Sequence, residues 1–378
     1  MSIQLLRNTR VFASTVESGF TAQNTFEILV GDDLSFSQDS SNTDIAPNEA
    51  GPKPVRGSKR FIDALNPASW SFSTYLIPIA KASGGKEVYT PDAILWHCLA
   101  SGSPFDPAQK DKGVYQNDTN QIVSFKDNAY HELTMLHLFM LVDQVWYKVK
   151  NVQVGQAEIS CDIADIGKTT WSGNGTDLQP LDAEPTGMLA LGVSDAEFIR
   201  YQPSYIKNKL SILNIKDNKS GGKTYDIALT AATVTINNNI TYLTPNTLNR
   251  VDRAIGSFTG SFDVTGNITC YVNTKANGSS QLWKDLVNNT SSVNSFSIAI
   301  CMGGKYADKM VPGVVIHMPT AIIQTPSTSS EDIISLSLDI KAQGTDLDAG
   351  DEVRICMGDK LNATKIDAFL TTGDAKIV

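Results

Sequence analysis

Cysteine is scarce in this 378-residue chain, and the five present (Cys98, Cys161, Cys270, Cys301 and Cys356) are odd in number and form no Cys-x-x-Cys pair. Separations of tens of residues exclude a disulfide framework and predict buried free thiols. Histidine is scarcer still (His97, His131, His137, His317), and His131 and His137 would stand too far apart on one strand face for joint zinc ligation. Charged residues make up only 19%, with 31 basic against 40 acidic side chains, a net charge of −9 and a pI near 5.0. No general basic field exists to hold nucleic acid or an anionic membrane, which argues against a free DNA-binding protein. No window approaches 18 consecutive apolar residues, and the first residues lack the apolar stretch of a signal peptide, so folding in a cytosol is expected.

Catalytic signatures are missing too. There is no Gly-x-Ser-x-Gly elbow, and no cysteine sits in a nucleophile pattern. Gly222-Lys223-Thr224 resembles the end of a phosphate loop, but Asp217 stands where that loop needs a small residue and would repel phosphate. The similar Ser83-Gly84-Gly85-Lys86 points to recurring hairpin turns. Asp346 to Glu352 lacks the bidentate Glu of a calcium loop, since Met357 occupies that place, and an acidic turn is expected. No catalytic residue, cofactor or metal is assigned, and the chain is not expected to be an enzyme.

What is abundant is apolar material (41%) set among Ser, Thr and Asn, enough for a sizeable core, and the length suggests two or three domains. The clearest signal is period-two alternation, the mark of strands with one buried and one polar face. It runs from Ser257 to Val272, read as one long strand with a bend at Gly260 or Gly266, and recurs at Leu34–Ser37, Trp70–Ile77, Val152–Ile163, Val234–Tyr242, Phe296–Cys301 and Leu336–Ile340. Leu133–Val142 reads as a strand buried on both faces. Helices are expected only at Pro91–Ala100 and Ser280–Asn288. The expectation is a mainly β protein of sandwich or barrel domains, each with a short helix. The order of elements repeats: Arg60-Phe61-Ile62 and Arg253-Ala254-Ile255, then an alternating strand, a Leu-Trp helix (Trp96, Trp283), an apolar strand, and strands ending at Ile163 and Ile340. That predicts an internal duplication, with domains at 1–185 and 201–378 and a linker at 186–200. Thr43 to Lys59, with three prolines, is expected to be a long irregular arm.

Several long motifs resemble one known family. Ile3-Gln4-Leu5-Leu6-Arg7-Asn8-Thr9-Arg10, Asn48-Glu49-Ala50-Gly51-Pro52 with Arg56-Gly57-Ser58-Lys59-Arg60-Phe61, Thr170-Trp171-Ser172-Gly173-Asn174-Gly175 and Ile236-Asn237-Asn238-Asn239-Ile240-Thr241-Tyr242-Leu243-Thr244-Pro245-Asn246 are similar to the major tail tube proteins of T-five-like siphophages. The resemblance extends to about residue 352, and the chain looks too short to carry that family's additional immunoglobulin-like domain. It implies two tandem tail-tube domains per chain, homotrimeric pseudo-sixfold rings, and stacking into a hollow non-contractile tube. It also implies tape measure, tail terminator and tip proteins as partners, phage double-stranded DNA crossing the lumen without specific binding, no membrane role, and residence in the virion after assembly in host cytoplasm. On that basis Asn48, Glu49, Pro52, Lys53, Arg56, Lys59 and Arg60 are candidate inter-ring loop residues, and Thr259, Ser261, Asp263 and Thr265 candidate lumen-facing residues. A glycan-binding or adhesive β-sandwich is the alternative that the composition leaves open.

Overall fold

The computed structural model describes residues 8–45, 57–78, 89–117, 120–129, 132–194, 198–199, 205–219, 221–245, 247–248, 251–288, 294–303, 311–329 and 333–372. β1 (Thr9–Ser14), β2 (Thr25–Ile28), β3 (Ser35–Ser37), β4 (Ser40–Ile45), β5 (Lys59–Leu65) and β6 (Ala68–Tyr75) lead to helix α1 (Ala93–Ala100). Then follow β7 (Gly113–Asn117), β8 (Asn120–Ser124), β9 (Leu136–Val142), β10 (Val145–Asp162), β11 (Lys168–Gly175) and β12 (Asp177–Leu181). β13 (Ile212–Asp217), β14 (Thr224–Asp226), β15 (Leu229–Asn237), β16 (Thr241–Leu243), β17 (Gly256–Phe258) and β18 (Asp263–Tyr271) precede α2 (Ser279–Val287). The chain continues through β19 (Phe296–Gly303), β20 (Val311–Ile323), β21 (Ser327–Ser329), β22 (Ser335–Gln343), β23 (Arg354–Leu361) and α3 (Ala363–Thr372). The mainly β expectation holds.

Two long strands organise these elements. β10 pairs through its first half with β9 and β12, and through its second half with β11 and β15, so it belongs to two sheet layers. The switch lies where Asn151 takes a left-handed backbone (φ 45°) and the register against β9 slips between Val149 and Val152; a second slip, against β11, follows between Val154 and Gln156. Asn tolerates that conformation better than other side chains, and here its amide donates to Thr176 Oγ1 at 3.3 Å. A bridge between Val30 and Thr74 connects the far edges, closing β2, β1, β9, β10, β11 and β6 on themselves. In the second half β20 has the same office, pairing first with β19 and β23 and then, after Pro319, with β22. The halves are stitched by β10–β15 and β8–β23, and one apolar core runs from Val11 to Met357.

At the centre of the first half, α1 is buried on every side, as its all-round apolar sequence requires. Trp96 meets Trp171 edge-on at 4.6 Å, and the Trp171 indole donates to Thr74 Oγ1 at 2.9 Å. Thr74 and the Trp96 indole both donate to Asp92, each at 3.2 Å, and burial raises the Asp92 pKa. Each such fully buried large side chain contributes roughly 1.5–3 kcal/mol of transfer free energy. All five cysteines are free and buried, as expected.

Three expectations need correction. Ser257 to Val272 is two strands in different sheets: β17 pairs with β16, residues 259–262 are irregular, and only β18 joins the large sheet. The break falls at Gly260, where a side chain would press within 2.8 Å of the Asn239 carbonyl oxygen. Residues 43–45 and 59 are strand, because β4 and β5 form a hairpin whose pairing reaches Ile45 and Lys59; residues 46–56 lie outside the described residues. Finally, α3 forms at Ala363–Thr372, where the sequence pattern predicts no helix.

Candidate functional surface: a polar sheet face and its two ends

β3, β6, β11, β10, β15, β18 and β22 are hydrogen-bonded neighbours in that order, and β21 with the end of β20 borders β22. Alternation then decides the two faces. Inward point Trp70, Trp171, Ile159, Val234, Ile268 and Leu338, all buried. Outward, the register sets polar side chains in rows: Ser35, Ser71, Ser172, Gln156, Asn237 and Asp263 in one, Ser73, Thr170, Glu158, Thr235, Thr265 and Lys341 in the next. A third row crosses Thr233, Asn267 and Asp339, where the Asn267 amide donates to Asp339 at 2.7 Å and to Ser337 at 2.8 Å. Hydroxyls and amides dominate this face. Its lysines stand beside carboxylates, Lys341 at 3.4 Å from Asp263 and Lys168 at 3.9 Å from Asp165.

The face has chemically distinct ends. At one end stand the β4–β5 and β16–β17 hairpins, lashed to the sheet and to each other. Tyr242 donates to the Asn174 carbonyl at 2.6 Å and accepts from the Gln153 N–H at 3.1 Å. Arg253 pairs with Asp177 at 2.6 Å, and the Leu65 N–H donates to the Asp252 carbonyl at 2.9 Å. These hairpins expose Phe61, Ile62, Leu243, Ile255 and Phe258. At the opposite end, where β6, β10 and β18 finish or β22 begins, Tyr75, Ile163, Tyr271 and Ile334 are exposed. Monomeric proteins seldom leave apolar groups gathered in this way.

Of the candidate loop residues, Asn48, Glu49, Pro52, Lys53 and Arg56 lie outside the described residues. Lys59 and Arg60 are on β5, with the Lys59 ammonium over the Phe61 ring at 5.5 Å and Arg60 forked onto Asp44 at 2.7 and 2.9 Å. Of the second set, Asp263 and Thr265 are on the polar face of β18, whereas Thr259 and Ser261 are in the irregular stretch before it. The Asn239 amide ties that stretch together, donating to Ser261 O at 2.8 Å and Asp263 at 3.0 Å. Sequence reasoning missed Glu158, Thr235 and Asp339, although each lies in a segment whose alternation was visible; only knowledge of which strands are neighbours adds them to one surface.

Among the described residues, no group of three or more His, Cys, Asp or Glu is arranged to hold a metal ion, and no helix is long and apolar enough to cross a membrane. Ser297 Oγ lies 3.0 Å from His317 Nε2, but His317 Nδ1 meets no hydrogen-bond partner that would orient it as a catalytic base.

A family model described as phage tail tube protein matches residues 11–342. The chain belongs to the phage tail tube protein family. Among its relatives is tail tube protein pb6 of Escherichia phage T5, 49% identical over 374 residues, which is 99% of this chain and 80% of that protein. Membership makes the chain a structural component of the virion, and the mainly β fold agrees with that of a phage tail tube protein.

Proposed function

We propose that three copies of this chain close into a pseudo-sixfold ring, that rings stack into a tail tube, and that phage DNA passes through the lumen, lined by the polar face, without specific binding. The observation that carries this reading is that face itself: eight strand positions wide, polar across both halves, and packed behind by a continuous core.

The halves, 1–185 and 201–378 with 186–200 between them, are proposed to be copies of one domain. In support, β1, β2, β3, a hairpin, β6, α1, β9, β10 and β11 are followed by β13, β14, β15, a hairpin, β18, α2, β19, β20 and β22 with matching pairings. In this correspondence β10 matches β20, not β22 as the strand ends at Ile163 and Ile340 suggested. The join of β10 to β15 within one chain is then the template for joins between chains. A neighbour's β3, which pairs only with β6 among the described residues, would add to the end of β20 and to β21. Three copies would give 24 strands. With strands about 4.8 Å apart and tilted about 40°, such a barrel measures roughly 50 Å between backbones, an aqueous channel wider than a DNA duplex.

Stacking would set the hairpin end of one ring on the opposite apolar end of the next, a head-to-tail contact that propagates without closing. Tape measure, tail terminator and tip proteins are the partners that a tube of this family implies. Paired cysteines test the ring: Ser35→Cys or Ser37→Cys combined with Ile322→Cys or Ser327→Cys, all on one face, in a chain whose native thiols are buried. Oxidation of purified tubes should yield covalent dimers and trimers for at least one pair. Tubes visible by electron microscopy with no cross-link from any pair would reject this closure, and failure of the wild-type chain to form rings or tubes with its phage partners would reject the reading itself.

A further inference from the structure

We infer that α3 is an acid-released latch, held on the second-half sheet while the His317 imidazole beneath it is neutral and freed when that imidazole takes up a proton. His317 is 2% exposed on β20, accepting from or donating to Ser297 through Nε2, with Nδ1 unpartnered. Its ring faces Phe369 of α3 at 6.2 Å. α3 is seated by Ile366 and Phe369 in a small cluster with Cys301, Val315, Cys356 and Leu361, separate from the main core, so it can open alone.

The surroundings disfavour a second cation. Arg354 is the cross-strand neighbour of His317 on β23 and is paired with Asp351 at 3.2 Å. Lys216 and Asp217 of β13, with Lys219 from the turn after it, line the cleft that His317 borders, and Asp367 of α3 forms its other wall. Lys365 of α3 is buried near Cys356. The Cys301 and Cys356 thiols, both pushed up to about 12 by burial, stay neutral throughout acidification. An imidazolium here would be buried against Phe369 and beside the Arg354 guanidinium with its Nδ1–H unbonded, a cost that the Asp351 carboxylate offsets only in part.

Burial, and then Arg354, holds the imidazole down at about 4, against 6.5 when exposed. A depressed histidine contributes stability that is complete above about 6.5 and drains as the pH falls towards 4, because the open state binds the proton more tightly. The difference of about 2.5 units corresponds to an opening constant that rises by up to roughly 300-fold.

Hydrogen exchange of the α3 amides, divided by the rates of an unstructured peptide and compared with α1, tests this between pH 7 and 4.5. Protection of α3 should fall about 60-fold while α1 holds, and His317→Gln, which cannot titrate, should remove the fall. α3 protection that tracks α1, or an equal fall in His317→Gln, overturns the proposal. Should that variant fail to fold, Arg354→Gln gives a second reading: with the neighbouring cation gone the fall should shrink, and an undiminished fall also overturns it.

Discussion

At the scale of single residues, the first half rests on a polar knot inside an apolar core. Thr74 accepts from the Trp171 indole and donates to Asp92, so Thr74→Val strands the indole N–H and takes from Asp92 one of its donors, leaving it the Trp96 indole, at nearly constant volume. The expected loss is about 1–3 kcal/mol, read as a lower guanidinium midpoint at constant m-value; an unchanged midpoint would mean that water replaces the hydroxyl. A second contact responds to pH. Hydrogen bonds from Lys148 (2.6 Å) and Lys150 (2.8 Å) lower the Glu17 pKa to about 2. Such a depressed carboxylate stabilises above about pH 4.5 and loses its contribution as the pH falls to 2. Glu17 is half exposed, so screening reduces what the pair is worth. Glu17→Gln should therefore lower the melting temperature slightly at pH 7 and low salt, and not at all at pH 2 or in 1 M salt. A pH-independent effect would assign the loss to packing.

At the scale of elements, β10 and its bend matter most. Asn151→Val forces a branched side chain into the left-handed region and should cost about 1–2 kcal/mol, whereas Asn151→Gly should cost little; thermal unfolding of the pair decides, and equal losses would mean that the side-chain bond to Thr176 is what counts. The bend also shows where sequence reading stops. Alternation at Val152–Ile163 located the second half of β10, because one face of it is core and the other polar. It could not show that Val145 to Val152 is the same strand in another layer, since a bulge resets the parity without changing the composition. The same blindness merged β17 with β18: Phe258 and Phe262 keep the apolar phase, yet Phe258 is 46% exposed on a hairpin. α3 was illegible for a different reason. Its Ala-Thr-Lys-Ile-Asp-Ala-Phe-Leu-Thr-Thr sequence has weak helix propensity and buries little beyond Lys365, Ile366 and Phe369, so it is helical because the sheet offers a seat.

At the scale of the whole molecule, the polar face joins residues scattered from Ser35 to Lys341, and only strand order could assemble it. Family motifs carried the rest of the functional reading, since no single residue on the face has catalytic or ligand-binding character. Its chemistry nevertheless makes a prediction. Glu158→Lys with Asp339→Lys puts ammonium groups on a surface of hydroxyls and amides, where each phosphate contact would add salt-dependent grip on DNA. Virions carrying both changes should assemble tubes of normal appearance and eject their genomes more slowly at low salt than at high salt. Delivery at the wild-type rate at every salt concentration would remove this face from the DNA path.

One further consequence follows from β10 and β15 being neighbours in one chain. In the proposed ring of three chains there would be six joints around the circumference but only two kinds: three internal to a polypeptide, like β10–β15, and three between chains. Under internal pressure the proposed tube would therefore have three lines of weakness, and fragments from osmotic shock are expected to be staves one chain wide, like those of a cask.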